Sequence, residues 1–555
     1  MRLARNKIVL LICVICGSNL YAQESQLGRV EFKTSGSEKA QAHFLRGLAA
    51  LHSFWYEEAL EAFRESTKVE PDFAMGYWGE AMAHNHPLWS EQDIAAGRQV
   101  VAKIKESPKL TERERDYLAA VKLLYGDGDK RARDAAYSAA MEKIYRAYPD
   151  DLDAAAFYSL SLLGMVNFDG KSYRLQAKAG AIALEVYQKN PNHPGAAHYI
   201  IHAFDDPEHA ILALPAARRY ADIAPEAHHA RHMPSHIFLQ LGMWPEAAAS
   251  NESAWQSSDA WMKRKNLPLS VRDYHSLHWL LYAYLQQGRY NQAEQLLSLM
   301  KKVMSESTYD NKLRPGYYEN NYANMAAAYV VETERWNLAT ELFPESKPKP
   351  ETAEQSTTSG GHGGHGGPTA APSGATVRTS SVSLTLPFFV RGLAAAVSGS
   401  TAVDQNIEGL KAASGAPGRA SNLLIRQLEI EALNASMKKD HAKAIELMKK
   451  ATALEEETSA PYGPPHLIKP THELFGEILL RAEKPADAAA QFKIALLRQP
   501  NRARSLLGAA RAAAQSGDQA GAAATYSALL EQWKQADENL PELREARDYL
   551  KQDKR

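Results

Sequence analysis

The 555-residue chain carries 45% hydrophobic and 23% charged residues and a formal net charge of −1, too long for one compact core and suited to several domains or one elongated array. No basic tract of the kind that follows phosphates is present, which argues against a nucleic-acid partner.

At the N-terminus Arg2, Arg5 and Lys7 precede the apolar run from Ile8 to Cys16, and Leu20-Tyr21-Ala22 places a small residue before a cleavage point. This reads as a signal peptide over residues 1–22 and implies export to the periplasm or beyond the cell. The apolar run is too short to span a bilayer, so no transmembrane segment is expected. Ile15 is a poor fit to the small residue that precedes a lipid-modified cysteine, so lipoprotein anchoring is disfavoured. Both cysteines, Cys13 and Cys16, lie in this segment. After cleavage there is neither disulfide nor thiolate, and any metal site must use nitrogen and oxygen.

From residue 38 apolar and small residues recur at helical spacing, first over Ala40 to His52 and Tyr56 to Val69, with Pro71 as a stop. Gly47, Ala59, Phe63 and Pro71 supply a small residue where paired helices touch, an aromatic knob and a closing proline. The pattern returns at Gly242, Ala247 and Ala254, at Gly288 and Ala293, and at Trp336 and Ala339. It is sharpest at Gly476, Ala488, Phe492, Ala495 and Pro500, and is followed by Gly517, Ala522 and Tyr526. In these residues the chain resembles the tetratricopeptide repeat (TPR) family. FWYEEALEAF, YWGEAMAHNHPLW, ARHMPSHIFLQLG and KPTHELFGEILL are also similar to exported bacterial TPR proteins of unknown activity. No segment alternates as a strand would. The expected fold is therefore an all-α helix–turn–helix solenoid.

Residues 345–382 are rich in Lys, Pro, Ser, Thr and Gly and include GGHGGHGGP with His362 and His365. No core can be built from such a composition, so a flexible linker is expected. It divides an N-terminal array, residues 23–344, from a C-terminal array, residues 383–555.

Ten of the nineteen histidines fall between His193 and His278, and His198 to His232 and His202 to His236 are each 34 residues apart, the period of a helix–turn–helix repeat. Gly242 and Gly288 mark the ends of first helices. His229, His232 and His236 stand 13, 10 and 6 residues before Gly242, and His275 and His278 stand 13 and 10 before Gly288, with Tyr282 at 6. His198 and His202 stand 10 and 6 before Glu208, one period earlier. Spacings of three and four stack side chains on one helix face. In TPR proteins these places resemble those that point into the concave groove, so the seven histidines are expected to converge there, with His193, His209 and His228 set aside as local hydrogen-bonding residues.

Imidazoles without sulfur favour zinc, copper, nickel or iron over calcium or magnesium. Asp205, Asp206, Asp273 and Glu226 are near enough in sequence to fix the rings from behind. Other groove positions are Asn321 and Asn324, which resemble asparagines that clamp a peptide backbone, and Glu473 and Glu477, at the histidine offsets before Glu483. His84 and His86 lie at an aromatic corner with Trp78 and Trp89. No nucleophile motif, phosphate loop, dinucleotide fingerprint or HEXXH is present. The expected function is an exported scaffold whose N-terminal groove binds a transition metal or metal-bearing ligand while the C-terminal array binds a protein or peptide. A metal-free peptide adaptor and a metal-dependent enzyme using the same histidines are the alternatives.

Overall fold

The computed structural model describes residues 26–166, 172–309, 316–345, 381–413, 420–458 and 462–552. The segment read as a signal peptide lies outside the described residues, as do positions 346–380 with His362 and His365. Among the described residues the chain is all-α; the one sheet is a two-residue pairing of Asn85–His86 with Glu91–Gln92. No helix of the described residues is long and apolar enough to cross a membrane.

The helices run as antiparallel pairs in a TPR-like solenoid. Around the histidines the pairs are Pro194–Ala203 with Ala210–Ile223, His228–His232 and Pro234–Gln240 with Trp244–Arg264, and Tyr274–Gln286 with Tyr290–Glu306. The small and aromatic residues read from the sequence explain the pairing. Phe63 lies between Gly47 and Gly79, where a Cβ would come within 2.8 and 2.2 Å of its ring. Phe492 lies between Gly476 and Gly508 in the same way, at 2.7 and 2.2 Å. An aromatic knob can therefore seat between successive first helices only because the facing residue has no side chain.

In several pairs the chain turns between the first and second helix through one left-handed residue. Gly242 (φ 66°) and Gly288 (φ 68°) occupy it at low cost, whereas Phe54 (φ 52°), Glu334 (φ 52°) and Glu483 (φ 55°) hold the same conformation with a side chain at roughly 1–2 kcal/mol each. Asp151, Asp273, Asp440 and Asp518 cap the helices that follow them, each accepting from a backbone N–H of the first turn.

The packing does not divide at residues 345–382. One buried apolar core joins Phe238 through Phe343 to Leu386 through Ala546, and a second spans Leu27 to Trp261. The helix Tyr317–Thr333 packs directly on Ser381–Ser398. The last repeats then fold back onto the turns of the histidine repeats. Trp244 Nε1 donates to the Asn501 carbonyl at 2.8 Å, Trp533 Nε1 to the Gln286 carbonyl at 3.0 Å, and the Asp537 amide to the Gly288 carbonyl at 3.0 Å. A Cβ on Gly242 would lie 2.5 Å from the Pro500 carbonyl oxygen, so that glycine is needed for contact as well as for φ.

Candidate metal centre

Three successive first helices bring six histidines into two groups of three. His198 and His202, from Pro194–Ala203, meet His229 of the next first helix, and His232 and His236 meet His275 of the one after. Within each group one ring nitrogen per histidine lies within 4.8 Å of the others. The construction rule is the same twice: the residues 10 and 6 before one turn meet the residue 13 before the next. The third member of the series would be His278 and Tyr282 with Asn321. Tyrosine and asparagine replace two of the three imidazoles there, and His278, which faces His466, joins neither group.

Hydrogen bonds fix the rings of the second group. His236 Nδ1 donates to Asp205 Oδ2 at 2.6 Å, and the other oxygen of Asp205 accepts from Gln240 Nε2 at 3.1 Å. His232 Nδ1 donates to Asn251 Oδ1 at 2.6 Å. The Asn251 amide is itself oriented, because its Nδ2 donates to the Ala247 carbonyl at 2.8 Å. With both Nδ1 atoms committed as donors, the neutral rings turn lone pairs on Nε2 towards each other across 3.1 Å. Two lone pairs at that distance repel unless a cation lies between them. A tetrahedral ion bound at about 2.0–2.1 Å requires nitrogens about 3.3 Å apart.

In the first group one ring is fixed in the same way. His198 Nδ1 donates to the His52 carbonyl at 2.7 Å, leaving its Nε2 as an acceptor 3.1 Å from His202 Nε2. His229 Nε2 is buried with no hydrogen-bond partner. An aromatic ring backs each group. Phe54, held in its left-handed turn, places its ring centroid 4.2 Å from His198 and 5.8 Å from both His202 and His229. Trp279 lies 4.2 Å from His236, 5.0 Å from His232 and 5.5 Å from His275.

Burial and neighbouring imidazoles both disfavour protonation. His198 and His232, each 0% exposed, are pushed down to about 3, chiefly by burial. Burial and then the adjoining rings hold His202, His229 and His275 well below the usual histidine value. Neutral imidazole is the form that binds metal. A cleft of about 530 Å³ opens on this cluster, and His229 and His275, one from each group, stand in its wall with Phe54, Tyr56, Trp89 and Tyr317.

A third group, His52, Asp153 and His193, is fully buried beside the first. Hydrogen bonds hold most of its ring atoms. His193 Nδ1 accepts from the Ala196 amide at 3.1 Å, which leaves its Nε2–H facing Asp153 Oδ1 at 3.4 Å. His52 Nε2 lies 2.8 Å from the same oxygen and His52 Nδ1 2.9 Å from the Tyr199 hydroxyl. Asp153, His52 and the Tyr199 phenol bond one another, His193 Nε2 is left buried without a hydrogen-bond partner, and the backbone of His52 supports His198.

The remaining residues singled out from the sequence lie elsewhere. Of the four carboxylates near the rings, Asp205 holds a clustered histidine. Asp206 pairs with His209 at 2.9 Å, Asp273 with His228 at 3.2 Å, and Glu226 with Arg46 at 3.2 Å. Asn321 and Asn324 donate to the carbonyls of Tyr317 and Asn320 in their own helix. Glu473, Glu477 and Tyr282 do not line an open groove. Arg502, fully buried, binds Glu473 at 2.7 Å, Glu332 at 2.7 Å and the Tyr282 hydroxyl at 2.7 Å, and Lys469 reaches Glu473 at 3.0 Å and Glu477 at 2.6 Å. These groove positions are thus occupied by the chain's own arginine and lysine. His86 stacks on Tyr56 at 3.8 Å, in the aromatic corner expected of it.

No family model matches the chain, and no curated protein does. It is similar to solved structures at low identity. Yeast Tom70 is 12% identical over 93% of this chain and 96% of that one, with a TM-score of 0.33. The human IFIT1 dimer with m7Gppp-AAAA is 12% identical over 90% and 91%, also at 0.33. The P58(IPK) TPR domain is 14% identical over 73% and 99%, at 0.21.

Proposed function

We propose that this chain is an exported TPR-like scaffold whose N-terminal repeats hold a transition-metal centre in the histidine cluster. The observation that carries the reading is the facing pair His232 and His236, whose Nδ1 atoms are both committed to acceptors while their Nε2 atoms stand 3.1 Å apart. His275 completes a three-nitrogen set of the kind that binds zinc, copper, nickel or iron. Asp205 and Asn251 are the outer partners that orient such ligands. The export part of the reading rests on Arg2, Arg5, Lys7 and the apolar run that follows.

The rival occupant of the His232–His236 pair is a proton, which would make one ring a buried imidazolium beside Asp205. Metal analysis separates the two. The mature chain, loaded with zinc and dialysed against a weak chelator, is expected to retain metal, and His232→Ala/His236→Ala to retain at least one equivalent less. Metal content below one equivalent, or unchanged in the double variant, would favour the proton and end the metal reading.

A further inference from the structure

We infer that the two histidine groups form one dinuclear centre, and that its exogenous ligand is a small anion entering from the cleft to bridge the two ions. This rests on the metal reading above and extends it from one ion to two.

The groups adjoin. Ring centroids of His202 and His236 are 5.7 Å apart and those of His229 and His232 5.8 Å, whereas His236 and His275, within one group, are 6.4 Å apart. The separations between groups thus fall within the range of 4.7 to 6.4 Å found inside them, and no other side chain need come between two ions held there. Each group offers a pair of Nε2 atoms 3.1 Å apart plus one histidine from the next helix. Two three-nitrogen sets side by side leave each ion short of a fourth ligand.

Charge identifies that ligand. Imidazole binds a metal as the neutral ring and brings no charge, and the carboxylates nearby are already engaged, Asp205 with His236 and Asp273 with His228. Two divalent ions would retain their full charge in a largely buried pocket, which is costly unless an anion joins them. Trp279 packs against the second group and does not line the cleft. The way in is the cleft, where His229 and His275 contribute one ligand from each group. A small anion such as hydroxide or azide arriving there meets both ions at once.

The test uses the full chain loaded with cupric ion, with His362→Ala/His365→Ala as the background so that the glycine-rich tract does not add copper. Two ions per chain are expected, with most of the paramagnetic resonance signal of two isolated cupric ions lost through coupling across the bridge, and with an azide-dependent change in the absorption spectrum. His202→Ala or His229→Ala should leave one ion with its full signal, and His275→Ala should do the same from the other side. Circular dichroism shows that each variant is folded, and a variant that is not is replaced by the other. One ion in the parent chain, or two ions with undiminished signal, would overturn the dinuclear centre while leaving the metal reading intact. No retained copper would end both.

Discussion

Replacing Asp205 by asparagine keeps the shape of the side chain and removes its charge. In the structure one oxygen of Asp205 accepts from His236 Nδ1 at 2.6 Å and the other from Gln240 Nε2 at 3.1 Å. Asparagine can supply only one acceptor, so either His236 or Gln240 is left facing an N–H group. If His236 loses its acceptor, its ring is free to rotate or change tautomer, and Nε2 is no longer fixed towards His232. Changes to such outer partners weaken metal affinity about 10–100-fold, which is roughly 1.4–2.7 kcal/mol. Titration against a chromogenic chelator at fixed pH and ionic strength measures this directly, with circular dichroism as the control for folding. A loss under about threefold, well below what such partners contribute, would mean that Asp205 does not position a ligand.

Three further outcomes are expected. Unfolded, His198 and His232 take up protons below about pH 6.5, and folded they do not until about 3; the unfolded state therefore binds more protons in that window, and the metal-free protein loses about 1.4 kcal/mol per ring per pH unit as pH falls. Urea unfolding at pH 7.5, 6.5 and 5.5 checks this, and a flat profile would refute neutral buried rings. Arg502→Met leaves Glu473 and Glu332 buried without their guanidinium and should destabilise the chain by about 3–5 kcal/mol; adding Glu332→Gln and Glu473→Gln should recover much of it, and no recovery would refute the ion-pair cause. Phe54→Gly should be less destabilising than Phe54→Ala by about 1 kcal/mol, against the usual order, because φ at this position is 52°; the usual order would show that the turn is unstrained.

The repeats and most of the histidine cluster were legible in the sequence because both are set by local spacing. A fixed turn, marked by Gly242 or Gly288, converts residue offsets into helix faces, so six of the seven expected histidines do meet. The seventh, His278, stands at a correct offset, but a group needs two neighbours as well, and Tyr282 and Asn321 do not supply imidazoles. Asn251 has no such mark because it sits on the second helix, behind the groove, where spacing along the first helix says nothing. The role of His52 is carried by its backbone carbonyl, which has no sequence signature. The offset of Glu473 marks a helix face but not its partners, Arg502 and Lys469. Burial would raise its carboxyl, yet Arg502 and Lys469 outweigh this and hold it below the usual carboxylate range. Arg502 comes from the neighbouring repeat, 29 residues away, but where the last repeats fold back it also holds Tyr282 from 220 residues away, a distance over which periodicity carries no information.

That return has a mechanical consequence. Repeat arrays in which each unit touches only its neighbours can fray from either end and lengthen like a spring. Here the coils near the C-terminus are fastened to the middle, with Asn501, Arg502 and Trp533 bonded to the turns at Gly242, Tyr282 and Gln286. A chain cut by protease within 345–382 should therefore travel as a single particle until denatured, although composition alone would have promised two pieces. The histidine repeats sit at the fastening point, so the geometry of their six rings is braced by the whole coil and not only by the helices that carry them.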